Sequence, residues 1–224
     1  MKPYKHGPKP VIGLIGAIGA GKSTVARLFE RRGGYLIDAD GIGHEALRQA
    51  EIATALVARW GDTVLRTDGT IDRAKVGQIV FSNPKELSAL EAIVFPYIAR
   101  RCHEEIRRGI ADPRYHFIVL DAALLLEAGW LDMVDRVVYV DAPREVRLAR
   151  VSTRSGWTEA DLAARESAQW PAERKLAHAH AVIMNTSAPD SLHAQVDDLL
   201  RTWGWTGPES RLTGSSEILD CPPF

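Results

Sequence analysis

The chain has 224 residues, of which 46% are hydrophobic and 25% charged, and its formal net charge is −1. This is the make-up of a globular protein long enough for one α/β core with an insertion. The near-zero charge excludes a large nucleic-acid footprint, and no apolar run approaches the roughly 20 residues of a bilayer span.

The polar, proline-bearing segment Met1 to Pro10 lacks the apolar core of a signal peptide. Of the two cysteines, Cys102 falls in a helical pattern and Cys221 in the tail, with no metal-ligand spacing. That speaks against a structural disulfide and for a reducing compartment. The expected location is the cytoplasm, with neither membrane nor nucleic acid as a partner.

Val11-Ile12-Gly13-Leu14-Ile15 reads as the first buried strand. Gly16-Ala17-Ile18-Gly19-Ala20-Gly21-Lys22-Ser23 follows at once and fits the phosphate-binding P-loop pattern G-x-x-x-x-G-K-[ST]. From Ser23 to Arg32, Val25, Leu28 and Phe29 fall on one helical face. Strand, loop and helix in that order are the context the motif requires; without them it would be only a glycine-rich turn. The glycines let the backbone curl so that N–H groups point at a phosphate, and the helix N-terminus adds partial positive charge. Gly16, Ala17, Ile18, Gly19, Ala20, Gly21, Lys22, Ser23 and Thr24 are therefore the candidate nucleotide-binding residues. Lys22 is expected to reach the β- and γ-phosphates, serving them and not the core, and Ser23 to offer its hydroxyl to Mg²⁺.

The second strand, Tyr35-Leu36-Ile37, runs into Asp38-Ala39-Asp40. Two residues apart, these carboxylates face the same way if the strand continues, at the edge where open α/β sheets bind ligands. A carboxylate there accepts a hydroxyl proton or acts through Mg²⁺; the alternative for either is to cap the next helix. His44, four residues past Asp40, is placed to face a substrate.

Nearly eighty residues separate the second strand from the third, far more than a crossover needs. The insertion reads as helical. Ala46, Leu47, Ala50, Ala53, Leu56, Val57 and Trp60 mark one amphipathic helix. Asn83-Pro84-Lys85-Glu86 starts another, with a capping Asn, Pro in the first turn and Glu at the third position. Pro96 is expected to open or bend a further helix, with Cys102, Ile106 and Ile110 at helical spacing.

The third strand, Phe117 to Leu120, ends at Asp121. P-loop enzymes place the acidic residue that holds Mg²⁺ there, often through water; a strand-end turn is the alternative. Val137 to Val140 and Ala181 to Met184 complete five short apolar runs, continuous rather than alternating, as in parallel strands covered on both faces. After the fourth, Arg147, Arg150 and Arg154 share a helical face. Such a stripe neutralises a transferring phosphoryl group or forms a solvated face paired in part with Glu145. Ser155-Gly156 breaks that helix, and Thr158 with Asp161 starts the next. His180 is expected to pack or cap beside the fifth strand. The Gly-, Pro- and Ser-rich tail from Thr206 reads as mobile.

The predicted fold class is α/β: a P-loop, doubly wound, five-stranded parallel sheet with a helical substrate-binding insertion and a lid. The expected division is core 10–44, helical insertion 45–111, core 112–146, lid 147–177, core 178–205 and tail 206–224.

From about Val11 to Trp203 the chain resembles the dephospho-coenzyme A kinase family. The resemblance rests on Gly13 to Thr24, Ile37-Asp38-Ala39-Asp40, Asp68-Gly69-Thr70-Ile71-Asp72-Arg73 and Val80-Phe81. It continues with Asp121, Leu124-Leu125-Leu126-Glu127-Ala128-Gly129, Val140-Asp141-Ala142-Pro143, Arg150 to Arg154, Gln169 and Asn185. It implies an enzyme like the nucleoside monophosphate kinases, moving the γ-phosphoryl of ATP to the ribose 3′-hydroxyl of dephospho-coenzyme A. It assigns the base role to Asp40, and the expected catalytic set is Asp40 with Lys22, Arg147 and Arg154. Asp38, Asp40, His44 and Arg150 are expected at the small-molecule substrate, Asn185 with the P-loop at ATP, and Ser23 with Asp121 at Mg²⁺. The chain departs from the family pattern at Ala17 and Ala20 in the loop, at Phe95 before Pro96 (usually His), at Ala123 (usually Pro) and at His180 (usually Asp). The rival readings are a kinase for another nucleotide or nucleoside, and a non-catalytic ATP-binding regulatory protein.

Overall fold

A computed structural model describes residues 4–167, 169–186 and 189–205. The tail 206–224, with Cys221, lies outside the described residues. Cys102 is free and buried.

Five strands, β1 (Val11–Gly16), β2 (Gly34–Asp38), β3 (Phe117–Asp121), β4 (Arg136–Asp141) and β5 (Ala181–Met184), form one parallel sheet in the order β2-β3-β1-β4-β5. Alternate residues of the central strands enter two cores. Val11, Ile15, Ile118, Leu120, Val137 and Tyr139 face one layer, and Ile12, Leu14, Phe117, Val119, Val138 and Val140 face the other. Burial on both faces is why the central strands read as unbroken apolar runs. Contrary to expectation, β5 is not covered on both faces: at the sheet edge, it buries Ile183 but leaves Val182 and Met184 exposed. All five point their C-terminal ends to one edge, where Gly16, Asp38 and Asp121 lie; Asp38 is in register with Asp121 across β2 and β3.

Helix α1 (Lys22–Arg31) returns from β1 and packs Val25, Ala26, Leu28 and Phe29 into the second core. Between β2 and β3 the chain forms α2 (Ala39–Ala46), α3 (Ala50–Trp60), α4 (Arg73–Phe81) and α5 (Pro84–Ala111). The single helix expected over Ala46 to Trp60 is two helices. Three-residue turns, Arg48 N–H to Glu45 O and Gln49 N–H to Ala46 O, close α2, and Gln49 is extended before α3 begins. The apolar spacing continues through the break because both helices pack on α5. Pro96 lies inside the unbroken α5, whose Val94, Ile98, Cys102 and Ile106 anchor it in the core on either side. Asn83 caps α5 as expected, accepting from Lys85 N–H at 3.0 Å.

After β4 come α6 (Arg144–Ser155), α7 (Glu159–Glu166) and α8 (Ala172–Leu176), and after β5 comes α9 (Pro189–Trp203). Gly156, at φ 68°, ends α6, and Thr158 with Asp161 forms a full capping box for α7. His180 sits at the entry to β5. Its backbone N–H donates to Val137 O at 2.8 Å, and its Nδ1 accepts from Val137 N–H at 3.0 Å. Burial, then the nearby Arg136 and Lys5, lower its pKa and favour this neutral acceptor form.

Candidate active site

The P-loop spans the end of β1 and the start of α1. Gly19 and Gly21 take φ values of 77° and 85°, which L-residues with a Cβ rarely adopt. A Cβ on Gly21 would also sit 2.2 Å from the Asn185 amide nitrogen. Ala20 N–H is turned inward to Ala17 O, whereas the amides of Gly19, Gly21, Lys22 and Ser23 make no backbone hydrogen bond among the described residues. Those four N–H groups are left available to an anion in the loop. Ala20 is buried beneath it.

The underside of the loop is held by polar side chains. Asn185 donates to Ala20 O at 2.8 Å. Arg150 donates to Ala20 O at 3.2 Å and to Asn185 Oδ1 at 3.1 Å. Arg147 donates to Ile18 O at 3.3 Å and to Ala142 O at 3.1 Å, and pairs with Glu166 of α7. Burial alone would raise the Glu166 pKa, but Arg147 and Arg144 together outweigh it and lower the value.

A cleft of about 430 Å³ opens above the loop. Gly16, Ala17, Ile18, Gly19, Gly21, Lys22, Ser23, Thr24, Asp40, Arg150, Arg154 and Asn185 line it, as do Ala123, Val151 and Gln169. Lys22 points its ammonium between two carboxylates. It bonds Asp121 directly and lies 3.9 Å from Asp40 Oδ2. Asp121 is only 6% exposed, whereas the Asp40 side chain is 58% exposed. Burial raises the Asp121 pKa, Lys22 opposes the rise, and Asp40 and Asp38 add to it. Lys22 therefore also compensates a buried charge, contrary to the expectation that it serves phosphates alone. Arg154 is exposed on α6, lines the cleft and makes no hydrogen bond or ion pair among the described residues.

Asp38, His44 and Arg147 do not line this cleft. Asp38 caps α2, accepting from Gly41 N–H at 2.9 Å; the strand does not continue past it, and the chain turns into a helix that carries Asp40. His44 lies on the exposed side of α2, its Nε2 2.6 Å from the Arg73 guanidinium. Arg147 is turned under the loop by its bonds to Ile18, Ala142 and Glu166. Ala123, Val151 and Gln169 enter the lining unanticipated as site residues. Each carried a signal only through the family resemblance: Gln169 and Val151 fall in matching segments, and Ala123 is one of the departures. Arg165 of α7 stacks on Trp157 at 4.1 Å and on Phe81 of α4 at 5.2 Å, which ties the segment after β4 to the helical insertion.

The hard oxygen donors Ser23, Asp40 and Asp121 at the mouth of the loop suit Mg²⁺, which takes one or two carboxylates together with phosphate oxygens and water. Among the described residues no cluster of three or more His, Cys, Asp or Glu forms a protein-only metal site. No helix of the described residues is long and apolar enough to cross a membrane.

A parallel sheet in this order, a P-loop at its central strand and a carboxylate facing the loop lysine define a P-loop protein of the kinase type. The dephospho-CoA kinase family model matches residues 10–190. The dephospho-CoA kinase of Carboxydothermus hydrogenoformans is 36% identical over 197 residues, covering 88% of this chain and 95% of the relative. That of Geobacter metallireducens is 43% identical over 190 residues, covering 83% and 92%. A crystal structure from Thermus thermophilus aligns with a TM-score of 0.74 at 34% identity, over 87% of this chain and 97% of the other. The dephospho-CoA kinase structure from Campylobacter jejuni, at 24% identity and TM-score 0.64 over 87% and 97%, shares the fold. The chain belongs to the dephospho-CoA kinase family.

Proposed function

We propose that the chain transfers the γ-phosphoryl of ATP to the ribose 3′-hydroxyl of dephospho-coenzyme A, giving coenzyme A and ADP. The observation that carries this reading is the Lys22–Asp40 pair, a loop lysine and an exposed carboxylate 3.9 Å apart in one cleft. Family membership supports the identity of the acceptor.

In this reading the amides of Gly19, Gly21, Lys22 and Ser23 and the Lys22 ammonium hold the phosphates. Asn185 and Arg150 keep the loop in shape from below. Ser23 and Asp121 would hold Mg²⁺, which when bound neutralises phosphate charge. Asp40 orients the acceptor hydroxyl and takes its proton late in the transfer, since a loose transition state demands little deprotonation at the outset. Arg154 faces the transferring group, and the α6–α8 segment acts as a lid that excludes water. The reaction would run in the cytoplasm. The presence of Lys22, Asp40 and Arg154 together in the cleft disfavours a non-catalytic protein.

A coupled ADP-release assay offering dephospho-coenzyme A, AMP, adenosine and pantothenate side by side tests the reading. Turnover with dephospho-coenzyme A well above the other three is expected. Preference for AMP or adenosine would move the chain to another kinase class, and no turnover with any acceptor would sink the catalytic reading.

A further inference from the structure

Lys175 on α8 is only 2% exposed, a rare place for an ammonium unless it is paired. Its Nζ lies 2.9 Å from Glu127 Oε1, in the turn after β3, and 2.9 Å from Gln169 Oε1. Glu127 Oε1 also accepts from the Trp170 backbone N–H at 3.0 Å. One carboxylate thus anchors both Lys175 and the backbone beside Gln169 to the core. Gln169 in turn lines the cleft above the P-loop.

The chemistry of this chain of bonds fixes a direction. An ammonium has donors only, so the Gln169 amide must present its oxygen to Lys175 and turn its NH₂ the other way. That NH₂ has no hydrogen-bond partner among the described residues. A donor held by a buried lysine at the wall of a phosphate-binding cleft suits an anionic ligand.

We propose that Gln169 donates its amide NH₂ to the nucleotide seated on the P-loop, and that Lys175, braced by Glu127, is the positioning residue that sets the amide's orientation. The inference rests on reading the cleft as a nucleotide site and goes beyond the loop residues themselves. Gln169 contributes a neutral donor from the segment after β4. Lys175 contributes no contact of its own, only the choice of which end of the amide faces the ligand.

The test is calorimetric binding of MgADP, with kcat, the KM for ATP and melting temperature measured alongside. Gln169→Glu keeps the shape and the bond to Lys175 but replaces the donor with an oxygen. It is expected to weaken MgADP binding and raise the KM for ATP by about tenfold, roughly one charge-assisted hydrogen bond, at unchanged melting temperature. Lys175→Met alone strands the Glu127 charge and is liable to unfold, so it is paired with Glu127→Gln. That double variant should melt near the unaltered protein yet keep the same weakened MgADP binding, and adding Gln169→Ala should cost nothing more. Normal MgADP binding by Gln169→Glu, or by the well-folded double variant, would overturn the inference. So would absence of MgADP binding by the unaltered chain. Because the acceptor plays no part in this measurement, a chain that binds MgADP but fails to phosphorylate dephospho-coenzyme A would refute the proposed function while the Gln169 comparison is still decided.

Discussion

Lys22 bonds the buried carboxylate of Asp121, joining the first residue of α1 to the last of β3. The same ammonium is therefore shared between the architecture and the ligand. Lys22→Met should abolish turnover. It should also lower stability, because removing one partner of a buried pair leaves an uncompensated charge, a loss of about 3–5 kcal/mol in well-buried cases. Urea unfolding checks it. A variant as stable as the unaltered chain would show that Asp121 gains nothing from Lys22.

Asp40 and Asp38 divide chemistry from capping. Asp40→Asn keeps the side chain's size and removes its basicity; kcat should fall by about 10²–10³-fold while MgADP affinity stays within a few-fold. Asp38→Asn should be close to neutral, since Asn caps a helix as well as Asp. Asp38→Ala should cost about 1 kcal/mol of stability with kcat largely retained. Steady-state kinetics beside thermal melts decide it. A dead Asp38→Asn with a normal Asp40→Asn would exchange their roles.

The arginines of α6 should separate in the same way. Arg154, exposed and lining the cleft, is expected to lower kcat by about a hundredfold on replacement by Ala, with melting little changed. Arg147 is tied to Ile18 O, Ala142 O and Glu166, so Arg147→Ala should lower the melting temperature as well as turnover. The same melting temperature for both variants would contradict the different placements of the two side chains.

His180 should make the protein acid-sensitive below the ordinary histidine pKa. Its folded pKa lies below the ordinary histidine value, so the unfolded chain binds the proton more readily. Its contribution is full above the unfolded pKa, near 6.5, and is lost as pH falls through the folded value. Val137 N–H needs a lone pair on Nδ1, and protonation removes it. His180→Asp supplies an acceptor that stays unprotonated well below the histidine range, so the fall in melting temperature as pH drops below about 6.5 should be shallower than in the unaltered protein. Identical slopes would remove His180 from the acid response.

What the sequence by itself determined is what local pattern encodes. The P-loop, the five strand runs, the Asn83 cap and the Thr158–Asp161 box depend on residues a few positions apart, and the structure has them at those positions. Periodicity could not separate α2 from α3, because two helices resting on α5 share the apolar spacing of one. The partners of charged side chains were decided only by the tertiary structure. Lys22 meets Asp121 because β3 lies beside β1, Asp38 turns to cap a helix because the chain bends after β2, and Arg147 faces down because α6 packs against the loop. Gln169, Lys175 and Glu127 come together from two connections of the sheet. Such pairings follow strand order and the packing of distant elements, and residue spacing along the chain carries no record of them.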